Sequence, residues 1–236
     1  MPLITMREHN PFSIQVAEDK HTEYAAAICL EMAESAKLRG TGIAYRSPEY
    51  IIAKMQEGRA IIALHHSGNW AGFCYIETWS HGDFVANSGL IVNPLYRKHG
   101  LARAIKRRIF DLSREKFPEA KIFGLTTGLA VMKINSELGY EPVTYSELTQ
   151  DQDFWKGCQS CVNYEILMGK ERKNCLCTAM LFDPVELNKD KTRPSRNFAE
   201  DFKKRYRLYE RWMRTKAYRL LKHSLLKEKR NNLPDQ

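Results

Sequence analysis

Residues 90–102 read LIVNPLYRKHGLA, and the reading of the chain turns on them. An apolar run ending at Val92 gives way to a polar turn over residues 93–100, and a new pattern starts at Leu101. Ala104, Ile105, Ile109, Phe110 and Leu112 then recur at helical spacing up to residue 116, with Lys and Arg on the opposite side. A strand that runs into a turn and then a helix start leaves the first helical N–H groups without intrahelical partners. Those donors sit at the positive end of the helix and suit an anion. Gly100 lets the backbone approach a phosphate, and Ala102 leaves the next turn unobstructed. Arg97, Lys98 and His99 add positive charge. A pyrophosphate is the expected guest.

Working outward, Ala60–His65, Trp70–Trp79 and Phe84–Val92 are apolar or aromatic runs split by the turn signals Ser67-Gly68-Asn69 and His81-Gly82-Asp83. Such short loops predict an antiparallel meander. Upstream, Ala25, Ile28, Cys29, Met32 and Ala36 predict a helix over residues 20–38, stopped by Gly40 and Gly42. Ser47 is the expected N-cap of a second helix, with Pro48 at its first position and its end near Gln56. Downstream, Lys121–Thr126 reads as a strand, residues 130–138 as a helix capped by Gly139, and residues 162–168 as the last strand. The order predicts an α+β fold with one mixed sheet.

The 236 residues are 43% hydrophobic, enough for one well-filled core, and no apolar run nears the roughly 20 residues of a membrane span. The N-terminus shows no signal-peptide pattern, so a cytoplasmic protein is expected. The formal charge of +9 is concentrated after residue 200. There, Phe202, Tyr206, Tyr209, Trp212, Met213, Leu220 and Leu221 alternate with Lys and Arg in an amphipathic pattern over residues 199–229. The expected organisation is a domain over 1–182, a linker over 183–198 and a basic helical tail over 199–236. Packing on the rest of the chain or on a second copy is the plain role for such a tail; an anionic membrane surface and RNA are the others.

Six cysteines occur. Cys29 and Cys74 fall in apolar patterns and read as small buried hydrophobes. Cys158-x2-Cys161 and Cys175-x-Cys177 have spacings that raise zinc. A C-x-C is a poor zinc knuckle, however, and the intervening VNYEILMGKERKN reads as containing a strand. No metal is therefore expected.

The R-x-x-G-x-A of residues 97–102, after a strand ending Val-x-Pro-x-Tyr, resembles the coenzyme A loop of the GNAT superfamily of N-acyltransferases. Leu138-Gly139-Tyr140 resembles that superfamily's second signature, usually Leu-Gly-Phe. The resemblance implies a GNAT fold, with a mixed central sheet splayed open after the strand ending at Val92 and helices flanking it. It implies that pantetheine lies along the backbone of Leu90, Ile91 and Val92. It further implies that the pyrophosphate meets the N–H groups of Arg97, Lys98, His99, Gly100, Leu101 and Ala102, and that Asn135 lies along the pantetheine side.

A narrower likeness covers residues 38–169. GIAYRSPEYIIAKM (42–55) and GLTTGLAVMKINSELGYEPVTYSEL (124–148) are similar to the acyltransferase domain of bacterial N-acetylglutamate synthase. This implies acetyl-CoA or succinyl-CoA as donor, glutamate as acceptor in arginine biosynthesis, and Arg46, Thr126 and Thr127 as acceptor-binding residues. Arg46 suits bidentate carboxylate binding. Lys133 is a candidate contact for a succinyl group. Three departures stand out. No amino-acid-kinase domain precedes these residues, so feedback through one is not expected. No Arg occurs around residues 158–164, where Lys156 or Tyr164 would have to serve. Asn135 stands where many GNAT enzymes carry a general-acid Tyr. Glu77 is the expected general base, with His65, His66 and His81 as further candidates. A backbone N–H near Ile91 or Val92 would hold the oxyanion. Rival readings are a GNAT enzyme acting on a protein N-terminus or polyamine, and an RNA-associated acyl-CoA-binding protein. A homodimer is left open.

Overall fold

The computed structural model describes residues 11–38, 40 and 44–186. The chain divides into two units, Met1–Val185 and Glu186–Gln236, and the fold that follows is that of the first. The expected tail helix, and the expected linker beyond residue 186, lie outside the described residues.

In chain order the elements are β1 (Phe12–Val16), α1 (Ala25–Leu38), α2 (Pro48–Gln56), β2 (Ala60–His65), β3 (Trp70–Trp79), β4 (Phe84–Val92), α3 (Leu101–Lys116), β5 (Lys121–Thr126), α4 (Leu129–Glu137), β6 (Glu141–Val143), α5 (Gln152–Lys156), α6 (Tyr164–Met168) and β7 (Thr178–Phe182). A 3-10 turn over Asp19–Tyr24 leads into α1, so the first part of the expected 20–38 helix is not α-helical. The Ser47 side chain caps α2 by accepting from Tyr50 N, with Pro48 at the first helical position.

The described strands form one sheet in the order β1-β2-β3-β4-β5-β7-β6. Every pairing is antiparallel except β4 with β5. Side chains alternate across it. Phe73 and Tyr75 of β3 pack with Ile28 and Met32 of α1 and Ile51 and Met55 of α2. On the opposite face, Gly72 lies under Ile105 of α3. Beyond β5, Phe123 and Leu181 pack with Trp155 of α5 and Leu167 of α6. Burial of each large side chain here is worth about 1.5–3 kcal/mol, so truncating the fully buried Ile51 would cost about 2–5 kcal/mol.

The sequence reading misplaced the last strand. Residues 162–168 turn out to hold the short helix α6, with Asn163 O accepting from Leu167 N at 3.2 Å. Of that stretch only Asn163 and Leu167 are buried, which no inner strand would tolerate. The strand is instead β7, TAMLF, buried at every position because it lies between β5 and β6. Two edge strands, β1 and β6, were not anticipated. Pro142 sits in β6, which pairs on one side only, where a missing N–H is tolerated. Cys74 is buried as expected, whereas Cys29 is half-buried.

Candidate active site

The sheet opens in its middle. Parallel pairing of β4 with β5 runs through Phe84 with Lys121, Val85 with Ile122 and Ala86 with Phe123, and stops there. From residue 87 on, β4 pairs with β3 alone, while Gly124, Leu125 and Thr126 of β5 pair with β7 alone. A bulge accompanies the split. Phe73 faces Ile91 and Tyr75 faces Ser88, so Gly89 and Leu90 oppose the single residue Cys74. Gly89 has φ +64°, and a Cβ there would come within 2.3 Å of the Tyr75 ring. Only glycine satisfies both demands.

At the far end of β4 the chain turns through Lys98 (φ +69°) and Gly100 (φ +76°) into α3. Gly100 O accepts from Arg103 N at 3.0 Å and Ala104 N at 3.2 Å, starting the helix. Among the described residues, the N–H groups of Lys98, His99, Gly100, Leu101 and Ala102 meet no acceptor. A Cβ on Gly100 would have nothing within 4 Å. Beside this turn lies a cleft of about 320 Å³ between α3 and α4, lined by Gly100, Arg103, Ala104, Arg107, Ile134, Glu137 and Leu138. Arg103 pairs with Glu137 through Nε at 2.7 Å and Nη2 at 2.9 Å.

Arg97 departs from expectation. Its N–H points back to Pro94 O at 3.4 Å, and its guanidinium bonds Val92 O, Glu31 and Ser35. It fastens the end of β4 to α1 and leaves the turn to backbone donors. The His99 ring lies 6.0 Å from Phe12, and Lys98 is exposed.

The second cluster sits on the α2 side of the opening. Glu77 of β3 is 5% exposed and receives hydrogen bonds from Arg46 Nη2 at 3.1 Å, Ser88 Oγ at 3.1 Å and the Tyr50 hydroxyl. Arg46 Nε donates to the Tyr75 hydroxyl at 2.7 Å, and Nη1 donates to Tyr45 O at 2.9 Å. A guanidinium has five N–H donors. Three are engaged by described residues, leaving one on each terminal nitrogen. Desolvation opposes the Arg46 charge, but Tyr75 and Glu77 outweigh it and hold its pKa above the ordinary value. Burial, then the Glu77 carboxylate, pushes the Tyr50 hydroxyl well up, so it stays protonated and serves as a donor.

No family model matches the sequence, and no curated protein matches it. Solved structures do match. The chain is similar to N-acetylglutamate synthase from Neisseria gonorrhoeae complexed with coenzyme A and N-acetyl-glutamate, at 19% identity and a TM-score of 0.52. That match covers 73% of this chain and 35% of the synthase chain. It is similar to Rv2747 from Mycobacterium tuberculosis in complex with CoA, at 17% identity and a TM-score of 0.52, covering 72% of this chain and 98% of that one. A GNAT superfamily phosphinothricin acetyltransferase from Sinorhizobium meliloti in complex with AcCoA matches at 12% identity and a TM-score of 0.50, covering 73% and 88%. The chain has the GNAT fold.

Within this GNAT fold, the residues at the opening fit a CoA thioester on two counts. The open edge of β4 offers backbone groups to an amide-bearing arm, and the turn offers unpaired N–H groups to a diphosphate. A third feature lies on α4. Asn135 is 1% exposed, its Nδ2 is 3.7 Å from Met180 Sδ, and its Oδ1 has no partner among the described residues. It lies against Gly124 of β5, beyond the point of separation. A buried acceptor without a donor is costly unless a ligand N–H completes it. A carboxamide has no proton to give as an acid, so the Asn135 position supplies a hydrogen-bonding group only.

Thr126 and Thr127 stand at the end of β5, where Thr126 Oγ1 accepts from Gly128 N at 3.0 Å. No described contact joins either to the Arg46 cluster. His65 contacts Ser67, His66, Phe12 and Tyr96, and His81 occupies the exposed turn after β3. Tyr50, Tyr75 and Ser88 were not anticipated. Tyr75 and Glu77 are two apart on one strand and share a face, which was readable; the Tyr50 and Ser88 contacts needed the register. No described helix is long and apolar enough to cross a membrane.

Proposed function

We propose that the protein transfers an acyl group from acetyl-CoA or succinyl-CoA to the amine of a small acidic amino acid, glutamate first among them. The observation that carries this reading is the end of β4–β5 pairing at Ala86 and Phe123, leading to a turn of free N–H groups. Leu90, Ile91 and Val92 would receive the pantetheine arm along their open edge, Asn135 Oδ1 an amide N–H from it, and residues 98–102 the diphosphate. Similarity in fold to a synthase solved with coenzyme A and N-acetyl-glutamate supports the donor class and makes glutamate the acceptor to test first.

The acceptor's carboxylate would take the two spare N–H donors of Arg46, held in place by Tyr75 and Glu77. The amine must be neutral before it attacks. Glu77 accepts three hydrogen bonds, and a carboxylate offers about four lone-pair positions, so one is left for that proton, directly or through water. Attack forms the C–N bond and breaks the C–S bond, and the departing thiolate takes a proton from solvent. A backbone N–H near Ile91 or Val92 steadies the oxygen as charge builds on it. Thr126 and Thr127, at the end of β5, would line the acceptor side.

Free-thiol release from acetyl-CoA and succinyl-CoA, with each common amino acid in turn, tests the proposal. Glutamate-dependent release is expected with at least one donor. Release driven by a polyamine or peptide N-terminus, with none from glutamate, would overturn the acceptor assignment.

A further inference from the structure

Two readings of the sequence weigh against a metal: the poor C-x-C knuckle and a strand between the two cysteine pairs. That strand does not exist. Residues 157–177 form a knob whose only regular element is α6, with Glu171 (φ +50°) and Arg172 (φ +60°) in strained turns. Only Asn163 and Leu167 of these residues are buried, too little apolar cover to hold such a segment by packing. One cysteine of each pair faces the core from this knob. Cys158 and Cys175 pack on the same cluster around Tyr145 and Trp155.

The two arms meet at one residue. Asn163 N donates to Cys161 Sγ at 3.4 Å, and Cys175 Sγ lies 3.9 Å from Asn163 O. Cys161 N donates to Cys158 O at 3.0 Å, closing the Cys158–Cys161 turn. The Cys175 and Cys177 thiols share a hydrogen bond, and Cys158 and Cys161 both lie near enough to act on Cys177. Arg46 and Arg172 lie near enough to act on Cys158. They would offset the double negative charge of four thiolates around a divalent ion.

We infer that Cys158, Cys161, Cys175 and Cys177 are the four ligands of one structural zinc ion that staples residues 157–177 to the core. Among the described residues no three His, Cys, Asp or Glu side chains stand close enough to hold a metal ion, so ligation requires the four sulfurs to draw together when zinc binds. Ligation at the roughly 2.3 Å of a Zn–S bond needs the four thiols turned toward one point. Each thiol gives up its proton to solvent as it ligates. The knob also touches the acceptor side, since Ser160 Oγ accepts from Tyr45 N at 3.0 Å, next to Arg46. The metal assignment itself does not depend on the transferase reading.

The test is metal analysis of the full chain, purified under reducing conditions without added chelator. About one zinc per chain is expected. In Cys158→Ser and Cys175→Ser the content should fall about tenfold or more, with no change in Cys29→Ser. Should the ligand variants fail to fold, cobalt(II) uptake by the metal-stripped wild type decides. Thiolate-to-cobalt charge transfer with intense tetrahedral d–d bands, abolished by stoichiometric zinc, supports the site. Reduced protein that takes up neither zinc nor cobalt, or zinc retained in full by folded Cys175→Ser, would overturn it.

Discussion

Glu77→Gln changes charge with almost no change in shape. In the wild type, Glu77 Oε1 faces Arg46 Nη2 at 3.1 Å and the Tyr50 hydroxyl, and Oε2 faces Ser88 Oγ at 3.1 Å. Glutamine keeps an acceptor for Arg46 and Tyr50, and the Ser88 hydroxyl can rotate to accept from the new amide. What disappears is the ion pair, whose side chains are 18% and 7% exposed. Two charges roughly 4 Å apart at an effective dielectric of about 20 interact by about 4 kcal/mol. Partial hydration of Arg46 lowers the net loss to about 2–3 kcal/mol, a large share of the ~5–15 kcal/mol a domain has. With a urea m-value of about 2 kcal/mol/M, the midpoint should fall by about 1 M. Adding Arg46→Met should recover most of that loss, because the second change removes the stranded charge. A Glu77→Gln midpoint within about 0.2 M of wild type would refute the reasoning and show that the pair is solvated.

Three further outcomes follow from other sites. Lys106 is buried against Asn87 Oδ1 at 3.3 Å and the Tyr140 ring, and desolvation pulls its pKa down from 10.5 to about 8. The unfolded chain therefore binds the extra proton between about pH 8 and 10.5, and this group makes stability rise with pH across that window, by about 3 kcal/mol in all. Urea midpoints of wild type minus Lys106→Met at pH 7.5 and 10 should show that rise; a flat difference would contradict it. Gly72→Ala should lose about 1–3 kcal/mol, because a Cβ there meets Ile105 at 2.5 Å and Ile91 O at 3.0 Å; thermal melts would read it, and an unchanged melting temperature would count against this packing. Gly100→Val should cost only about 1–2 kcal/mol of stability, from its left-handed backbone, yet lower CoA affinity about a hundredfold or more by filling the space above the turn; calorimetry showing unchanged affinity would mean the turn is not the phosphate site.

Much of the site-bearing half was legible because its elements obey local rules. β2, β3, β4 and α3 are separated by Gly-containing turns and, with β5, switch cleanly between period 2 and helical period. What failed was non-local. The sequence of α6, YEILM, is apolar enough for a strand, and only the competing run TAMLF, paired on both sides, decides against it. The Arg97 side chain looked free for an anion, whereas its partners Glu31 and Ser35 are more than sixty positions away in the chain. Glu77 was readable as a carboxylate in the right strand. That Arg46 and Tyr50 hold it follows only from how α2 packs on the sheet.

Amide hydrogen exchange with and without CoA tests the central claim most directly. The account predicts that CoA slows exchange in two short segments, residues 87–92 on the open edge of β4 and residues 98–102 at the start of α3, with little change in β1 and β2. Protection confined to other parts of the chain, or none at saturating CoA, would contradict it.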